Sequence, residues 1–205
     1  MTTIIGLQLV FWACVVVLAY IYAGYPILVW VRSRGKRSDV APSAAEHPKH
    51  EVSIVIVAHN EARTLPRKIQ SLLASNGAEQ IREILIGSDG STDDTANALA
   101  ELGDPRIKLF PFSDRRGKPS VLNDLVPQCQ SQIVLLADAR QIFDPKCIRN
   151  LLAHFDDPTV GVVSGELVLR SDASQSTAAA GIGFYWRYEK FIRRSESRGR
   201  GVPGA

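Results

Sequence analysis

Cysteine is scarce: Cys14, Cys129 and Cys147 are the three in a chain of 205 residues. Three widely spaced thiols cannot close a disulfide framework. No Cys-x-x-Cys or Cys/His cluster supplies a structural zinc site. They read as small core or membrane residues of a reducing compartment. An excess of one charge is also missing. Lys+Arg 24 against Asp+Glu 21 leaves a formal net charge of +3, which gives no chain-wide footprint for a nucleic-acid partner. The phosphate-cradling patterns GxGxxG and GxxxxGKS/T do not occur, so neither dinucleotide nor P-loop chemistry is indicated. There is no internal repeat. What is present, 45% hydrophobic and 22% charged residues, is the composition of a folded chain and not of a disordered or collagenous one.

The hydrophobic residues are unevenly spread. From Ile4 to Val31 no side chain is charged and Gln8 is the only strongly polar one. A bilayer core takes about 20 apolar residues in a helix, so residues 4–31 read as one transmembrane helix. The run exceeds the apolar region of a signal peptide, and Met1-Thr2-Thr3 carries no basic side chain; a retained anchor fits better than a cleaved leader. Trp12, Tyr20, Tyr22, Tyr25 and Trp30 suit the headgroup layers, and Pro26 predicts a kink or a helix end. Arg32, Arg34, Lys36 and Arg37 follow, and a basic flank prefers the cytoplasm. Residues 32–50 form a basic, then polar linker. Residues 51–205 remain for one domain with a real core.

In that domain strand and helix patterns alternate. VSIVIVA (52–58), EILIGSD (83–89), RIKLFPF (106–112), QIVLLAD (132–138) and VGVVSGELVL (160–169) read as strands. Glu61–Ala74, Thr92–Leu102 with Ser91 as N-cap, Lys118–Val126 and Pro145–Phe155 read as helices. The order implies a parallel, Rossmann-like α/β sheet. Ligands of such sheets bind beyond the carboxyl ends of the strands. His59, Asn60 and Glu61 follow the first strand; Asp89 to Asp94 end and follow the second. Asp138, Ala139 and Arg140 close and follow the strand at 132–138, and a basic loop, Arg115 to Lys118, lies between. Acidic and basic groups on one rim suit a phosphorylated ligand.

Four segments, VSIVIVAHNEARTL, EILIGSDGSTDDT, RRGKPSVLN and IVLLADARQ, occur in this order and spacing. Together they resemble the N-terminal half of a family 2 glycosyltransferase of the GT-A fold. The membrane-anchored processive branch, with cellulose, hyaluronan and poly-N-acetylglucosamine synthases, is the most similar. The anchor with Gly24-Tyr25-Pro26 and the segment GIGFYWRYEKFIRRSES add to the resemblance. It implies an inverting transfer of sugar from a nucleotide-diphospho-sugar, UDP-linked by first expectation, to a polysaccharide or lipid-linked acceptor. It implies an enzyme of the inner or plasma membrane with a cytoplasmic catalytic domain and no nucleic-acid partner. By the same resemblance Ala58, Asn60 and Glu61 line the nucleotide pocket. Asp89 holds uracil or ribose, and Lys118 lies near base and diphosphate. Asp138 opens the D-x-D motif that holds a divalent cation, Mg²⁺ or Mn²⁺, on the diphosphate. Apart from the resemblance, Arg140 suits direct pairing with the diphosphate, as guanidinium does well.

Two departures stand out. The second D-x-D position is Arg140, a cation where relatives offer an oxygen. The family's catalytic base, in a later Glu-Asp motif, and its QxxRW motif match no residue up to Ala205. This predicts a truncated chain holding the donor half, or alternatively an inactive nucleotide-sugar binding module tethered to the membrane.

Other residues have plainer readings. Asp93 and Asp94 suit helix capping, with Ser91 and Asp94 as a capping box. Lys118 is either a ligand or a solvated lysine at a helix start. His59 reads as a satisfied loop residue and His154 as structural. Asp104, Asp114, Asp144, Asp156 and Asp157 read as turn residues. Phe184 to Arg200 is an aromatic and basic helix, either lying in the membrane interface or packed on its own domain.

Overall fold

The computed structural model describes residues 2–34, 50–166, 168 and 177–198. Helices α1 (Thr2–Ala19) and α2 (Tyr25–Ser33) come first, joined by a π turn at Tyr20–Gly24. Strand β1 (Val52–Ala58), helix α3 (Leu65–Leu73) and strand β2 (Ile81–Asp89) follow. Next come α4 (Thr95–Ala100), β3 (Ile107–Phe112), α5 (Lys118–Leu125) and β4 (Ile133–Asp138). The last elements are α6 (Cys147–Leu152) and α7 (Thr177–Arg198). These elements fall into two compact units, one within residues 1–40 and 162–205, the other within 41–161.

The central unit is the expected parallel sheet, in the order β3-β2-β1-β4. Its β-branched runs are buried on both faces, as parallel strands require. On one face Ile54, Ile56, Ile84 and Ile86 pack with Leu65, Ile69 and Leu72 of α3, Leu99 of α4, and Ile148 and Leu152 of α6. On the other, Val55 and Leu85 pack with Val121 and Leu125 of α5. Gly87 permits this second contact. A Cβ there would lie 2.3 Å from Val121 Cγ1 and 3.0 Å from Leu125 Cδ1. Among the described residues strand β4 pairs on one side only, with β1, and Leu136 on it stays half exposed.

A buried carboxylate ties the amino-terminal edge of the sheet. Glu83 accepts hydrogen bonds from Ser53 Oγ at 2.9 Å and the Gln130 amide at 2.7 Å. It also pairs with Lys108 Nζ at 2.6 Å. Burial pushes its carboxyl upward, but the bonds from Lys108, Gln130 and Ser53 outweigh that and hold it below the ordinary range.

Several expected boundaries contract. Helix α3 begins at Leu65 and not at Glu61: after Asn60, at a left-handed φ of +56°, Glu61 to Thr64 form a turn closed by the Leu65 amide on the Glu61 carbonyl at 2.9 Å. Helix α4 begins at Thr95. Ser91 does not cap it; the Asp93 carboxylate accepts the Thr95 amide at 3.2 Å. Helix α6 begins at Cys147 after an Asx turn in which Asp144 Oδ1 accepts the Lys146 amide at 2.8 Å. The strand expected at 160–169 is a correction: the described residues of that stretch form no strand, and only one side of β4 has a partner in the described sheet.

In the other unit, residues Ile4–Ser33 form a helix long and apolar enough to cross a membrane, with mean hydropathy 2.5. Pro26 does not end it. Proline lacks the amide that would bond the carbonyl four residues back, at Tyr22. The π turn widens the helix just before it, and the Tyr25 amide reaches Tyr20 O. The Tyr188 hydroxyl of α7 donates to the Tyr22 carbonyl at 2.8 Å. Helix α7 packs along α2 through that bond and one from Tyr25 to Glu196. Glu166 pairs with Lys190 and, at 3.1 Å, with Arg194 of α7.

Candidate functional site

The carboxyl ends of β1, β2 and β4 carry the polar residues, and strand register decides which can meet. Val57 pairs with Asp138, and Ala58 with Ser88. Alternation along β4 puts Asp138 on the same face as Val134 and Leu136, the face covered by α5. Lys118, first residue of α5, forms an ion pair there with Asp138. Arg140, past the strand end, instead reaches Glu61: its Nε donates to Glu61 Oε1 at 2.5 Å.

The turn after β1 is interlocked with the turn after β2. Asn60 Oδ1 accepts the Thr92 amide at 2.8 Å, and the Asn60 amide donates to Ser91 Oγ at 3.2 Å. The Glu61 amide donates to Thr95 Oγ1 at 3.3 Å, and the Ala62 amide to Asp93 Oδ2 at 3.0 Å. Thr64 Oγ1 donates to the Glu61 carboxylate. Burial would raise the Glu61 carboxyl, but the bonds from Thr64 and Arg140 and the guanidinium charge hold it lowered. Bonds from the Thr95 hydroxyl and the Ala62 amide likewise lower Asp93. An open cleft of about 520 Å³ lies against this turn, lined by Asn60, Glu61, Arg63, Asp93, Asp94 and Arg140 among others.

Asp89 is 4% exposed and does not line that cleft. Its Oδ1 accepts the Arg116 amide at 2.7 Å and its Oδ2 the Gly117 amide at 2.9 Å. Its side chain therefore holds the basic loop that leads into Lys118. Gly90 allows the close approach. Its φ is +64°, and a Cβ there would lie 2.7 Å from the Arg115 nitrogen. The Asp89 carbonyl meets His59 Nδ1 at 2.7 Å, so Nδ1 carries the proton and His59 is the satisfied loop residue expected. Ala58 is 2% exposed, which limits its contribution to backbone.

The expected residues thus fall into three places: Asn60, Glu61 and Arg140 at the cleft, Lys118 with Asp138, and Asp89 beneath the basic loop. The Mg²⁺ or Mn²⁺ expected at Asp138 would find one carboxylate there, that of Asp138 itself. That carboxylate already carries the Lys118 ammonium, and the second D-x-D position is a guanidinium. A hard dication on a diphosphate takes one or two protein carboxylates beside phosphate and water oxygens; here it would compete with Lys118 for Asp138. Among the described residues no cluster of three or more His, Cys, Asp or Glu side chains could hold a metal.

Lys68 was not legible as part of this region. It lies on α3, is 2% exposed, donates to the Gln141 carbonyl at 2.6 Å, and stacks over Phe143 at 3.4 Å from the ring centroid. Desolvation pushes its amine down to about 8, against upward pulls from Cys147 and Asp138. It props the segment after β4 from below.

Fold and site define a parallel α/β protein with its polar cleft at the carboxyl edge of the sheet, the arrangement of nucleotide-binding α/β domains. Residues 53–203 match the family described as Glycosyl transferase family 2, and the chain belongs to that family. It is 29% identical over 133 residues to the poly-beta-1,6-N-acetyl-D-glucosamine synthase of Staphylococcus epidermidis, covering 63% of this chain and 32% of that protein. The synthase of the same name from Staphylococcus aureus (strain COL) is 27% identical over 125 residues, covering 60% and 30%. The chain therefore spans about a third of the length of these curated relatives. A mannosyltransferase from Pyrobaculum calidifontis, solved with GDP-Man and Mn²⁺, superposes with a TM-score of 0.58 at 25% identity, over 73% of this chain and 45% of its own.

Proposed function

We propose that this chain carries the donor-binding half of a membrane-anchored glycosyltransferase that uses a nucleoside-diphosphate sugar. The donor is UDP-linked by preference and the acceptor a growing polysaccharide or a lipid-linked glycan. The sheet lies on the cytoplasmic side of an inner or plasma membrane. The observation that carries the reading is the convergence of three strand ends on one edge: the locked turn at Asn60 and Glu61, the Asp89-held basic loop, and Asp138 with Arg140. The polysaccharide synthases to which the chain is similar support the substrate class.

In this reading the nucleoside sits against the Asn60 turn and the loop that Asp89 holds. The diphosphate faces Arg140 at the cleft, whose charge offsets that developing on the leaving group. An acceptor hydroxyl attacks the anomeric carbon from the opposite face, with inversion, and loses its proton to a base. Among the described residues, three of the carboxylates at this edge are engaged: Glu61 holds Arg140, Asp89 holds two amides and Asp138 holds Lys118. A second reading is a membrane-tethered module that binds donor without turning it over.

The test is calorimetric titration of the full chain in nanodiscs with UDP, beside Asp89→Ala, followed by an assay of sugar release or transfer from UDP-N-acetylglucosamine. Binding that Asp89→Ala removes supports the donor site. Transfer supports the enzyme; binding without transfer supports the second reading. No binding by a folded sample refutes the assignment.

A further inference from the structure

The donor reading leaves open what grips the diphosphate, and the Glu61–Arg140 pair points to an answer. Glu61 is anchored from three sides. Its amide bonds Thr95, one carboxylate oxygen takes the Thr64 hydroxyl, and the other takes Arg140 Nε. The Glu61 side chain is 10% exposed and that of Arg140 is 79% exposed. A fixed, nearly buried carboxylate therefore holds a solvent-facing guanidinium by its inner nitrogen. The two terminal amino groups of Arg140 make no hydrogen bond among the described residues and border the cleft. Two parallel N–H donors at fixed spacing match two oxygens of a phosphate, and an orienting anchor removes much of the entropy cost of binding. Arg63, exposed on the same cleft, has no ion pair among the described residues and adds positive charge. The acids there are engaged locally: Asp93 by Ala62 and Thr95, Asp94 by Asn97.

We propose that Arg140 binds the diphosphate of the donor directly, oriented by Glu61, so that nucleoside-diphosphate binding by this chain does not require a divalent cation. Glu61 is then a positioning residue and Arg140 a phosphate ligand. The inference rests on the donor-binding reading and specifies its ligand contacts.

The experiment is titration of the full chain in nanodiscs with UDP and GDP, each beside its monophosphate, in EDTA and then in Mn²⁺. The wild-type chain binds one diphosphate in EDTA. Arg140→Ala weakens that diphosphate at least tenfold and changes monophosphate affinity less than twofold, a contrast that general unfolding does not produce. Glu61→Gln keeps an oxygen acceptor for Nε and retains most of the affinity, whereas Glu61→Ala loses several-fold. Arg140→Asp makes diphosphate binding depend on Mn²⁺. Diphosphate binding that vanishes in EDTA in the wild-type chain, or that Arg140→Ala leaves unchanged, overturns the proposal while the donor reading stands. Failure of every nucleotide under every condition overturns both.

Discussion

Replacing Lys68 by Met changes how the stability of the sheet depends on pH. In the unfolded chain the amine titrates near 10.5; in the fold desolvation brings it down to about 8. Between those values the unfolded chain binds more protons than the folded one, so stability rises as pH rises. From pH 7.5 to 9.5 the unscreened gain is close to 2 kcal/mol by linkage; partial screening by solvent reduces it to about 1 kcal/mol. Lys68→Met abolishes this rise. At pH 7.5 the variant sheds a buried charge but leaves the Gln141 carbonyl without its donor, worth about 1–3 kcal/mol, so its stability there stays within about 1 kcal/mol of wild type or falls slightly below. The thiols of Cys129 and Cys147, pushed up by burial, work in the opposite direction in both proteins and largely cancel in the difference. The assay is urea unfolding of the full chain in detergent at pH 7.5, 8.5 and 9.5, followed by far-UV circular dichroism. Fluorescence is unsuitable because Trp12, Trp30 and Trp186 all lie outside the sheet unit. Parallel pH curves for wild type and Lys68→Met would refute the reasoning.

Glu83→Gln removes the charge that joins Ser53, Lys108 and Gln130, and costs about 1–3 kcal/mol at neutral pH. Because the Glu83 carboxyl is lowered in the fold, its stabilisation is present above the unfolded value of 4.5 and fades as pH falls through the folded one. The difference in urea midpoint between variant and wild type should therefore be smaller at pH 4 than at pH 7. Gly90→Ala forces a side chain into a left-handed residue against the Arg115 nitrogen, and costs more than about 2 kcal/mol; the same unfolding assay reads it, together with loosened UDP binding as the Asp89-held loop shifts. Tyr188→Phe removes the donor to the Tyr22 carbonyl and costs the α2–α7 contact about 1 kcal/mol. The midpoint of thermal tryptophan fluorescence, which Trp186 and Trp30 report, should drop by a few degrees; an unchanged midpoint would show that Tyr22 is satisfied without it.

Much of the architecture was legible in the chain because it depends on local pattern. Twenty-eight uncharged residues from Ile4 to Val31 read as a helix long and apolar enough to cross a membrane, and the structure has that helix. The β-branched runs at 52–58 and 133–138 cannot be satisfied except by burial on both faces. Asp89, Asp138 and the Arg115–Lys118 loop announce themselves by falling at or after strand ends. The failures share a cause. The 160–169 run has strand composition, but pairing needs a neighbour that no local pattern specifies. Pro26 reads as a kink or a helix end; the helix runs on through a π turn, and a hydroxyl from residue 188 serves the carbonyl that Pro26 leaves bare. Lys68 reads as one more polar residue on a helix, although it is buried.

The partnerships of the site belong to tertiary structure alone. Sequence order places Asp138 and Arg140 two residues apart and suggests a common ligand. The pleat sends Asp138 to the α5 face and Lys118, while Arg140 turns across β1 to Glu61, 79 positions back. Residue types and strand-end positions are determined by the sequence, because periodicity and burial are properties of short windows. Which carboxylate holds which cation is decided only when the sheet sets its register and brings distant turns together, since ion pairs form by distance in space and not by distance along the chain.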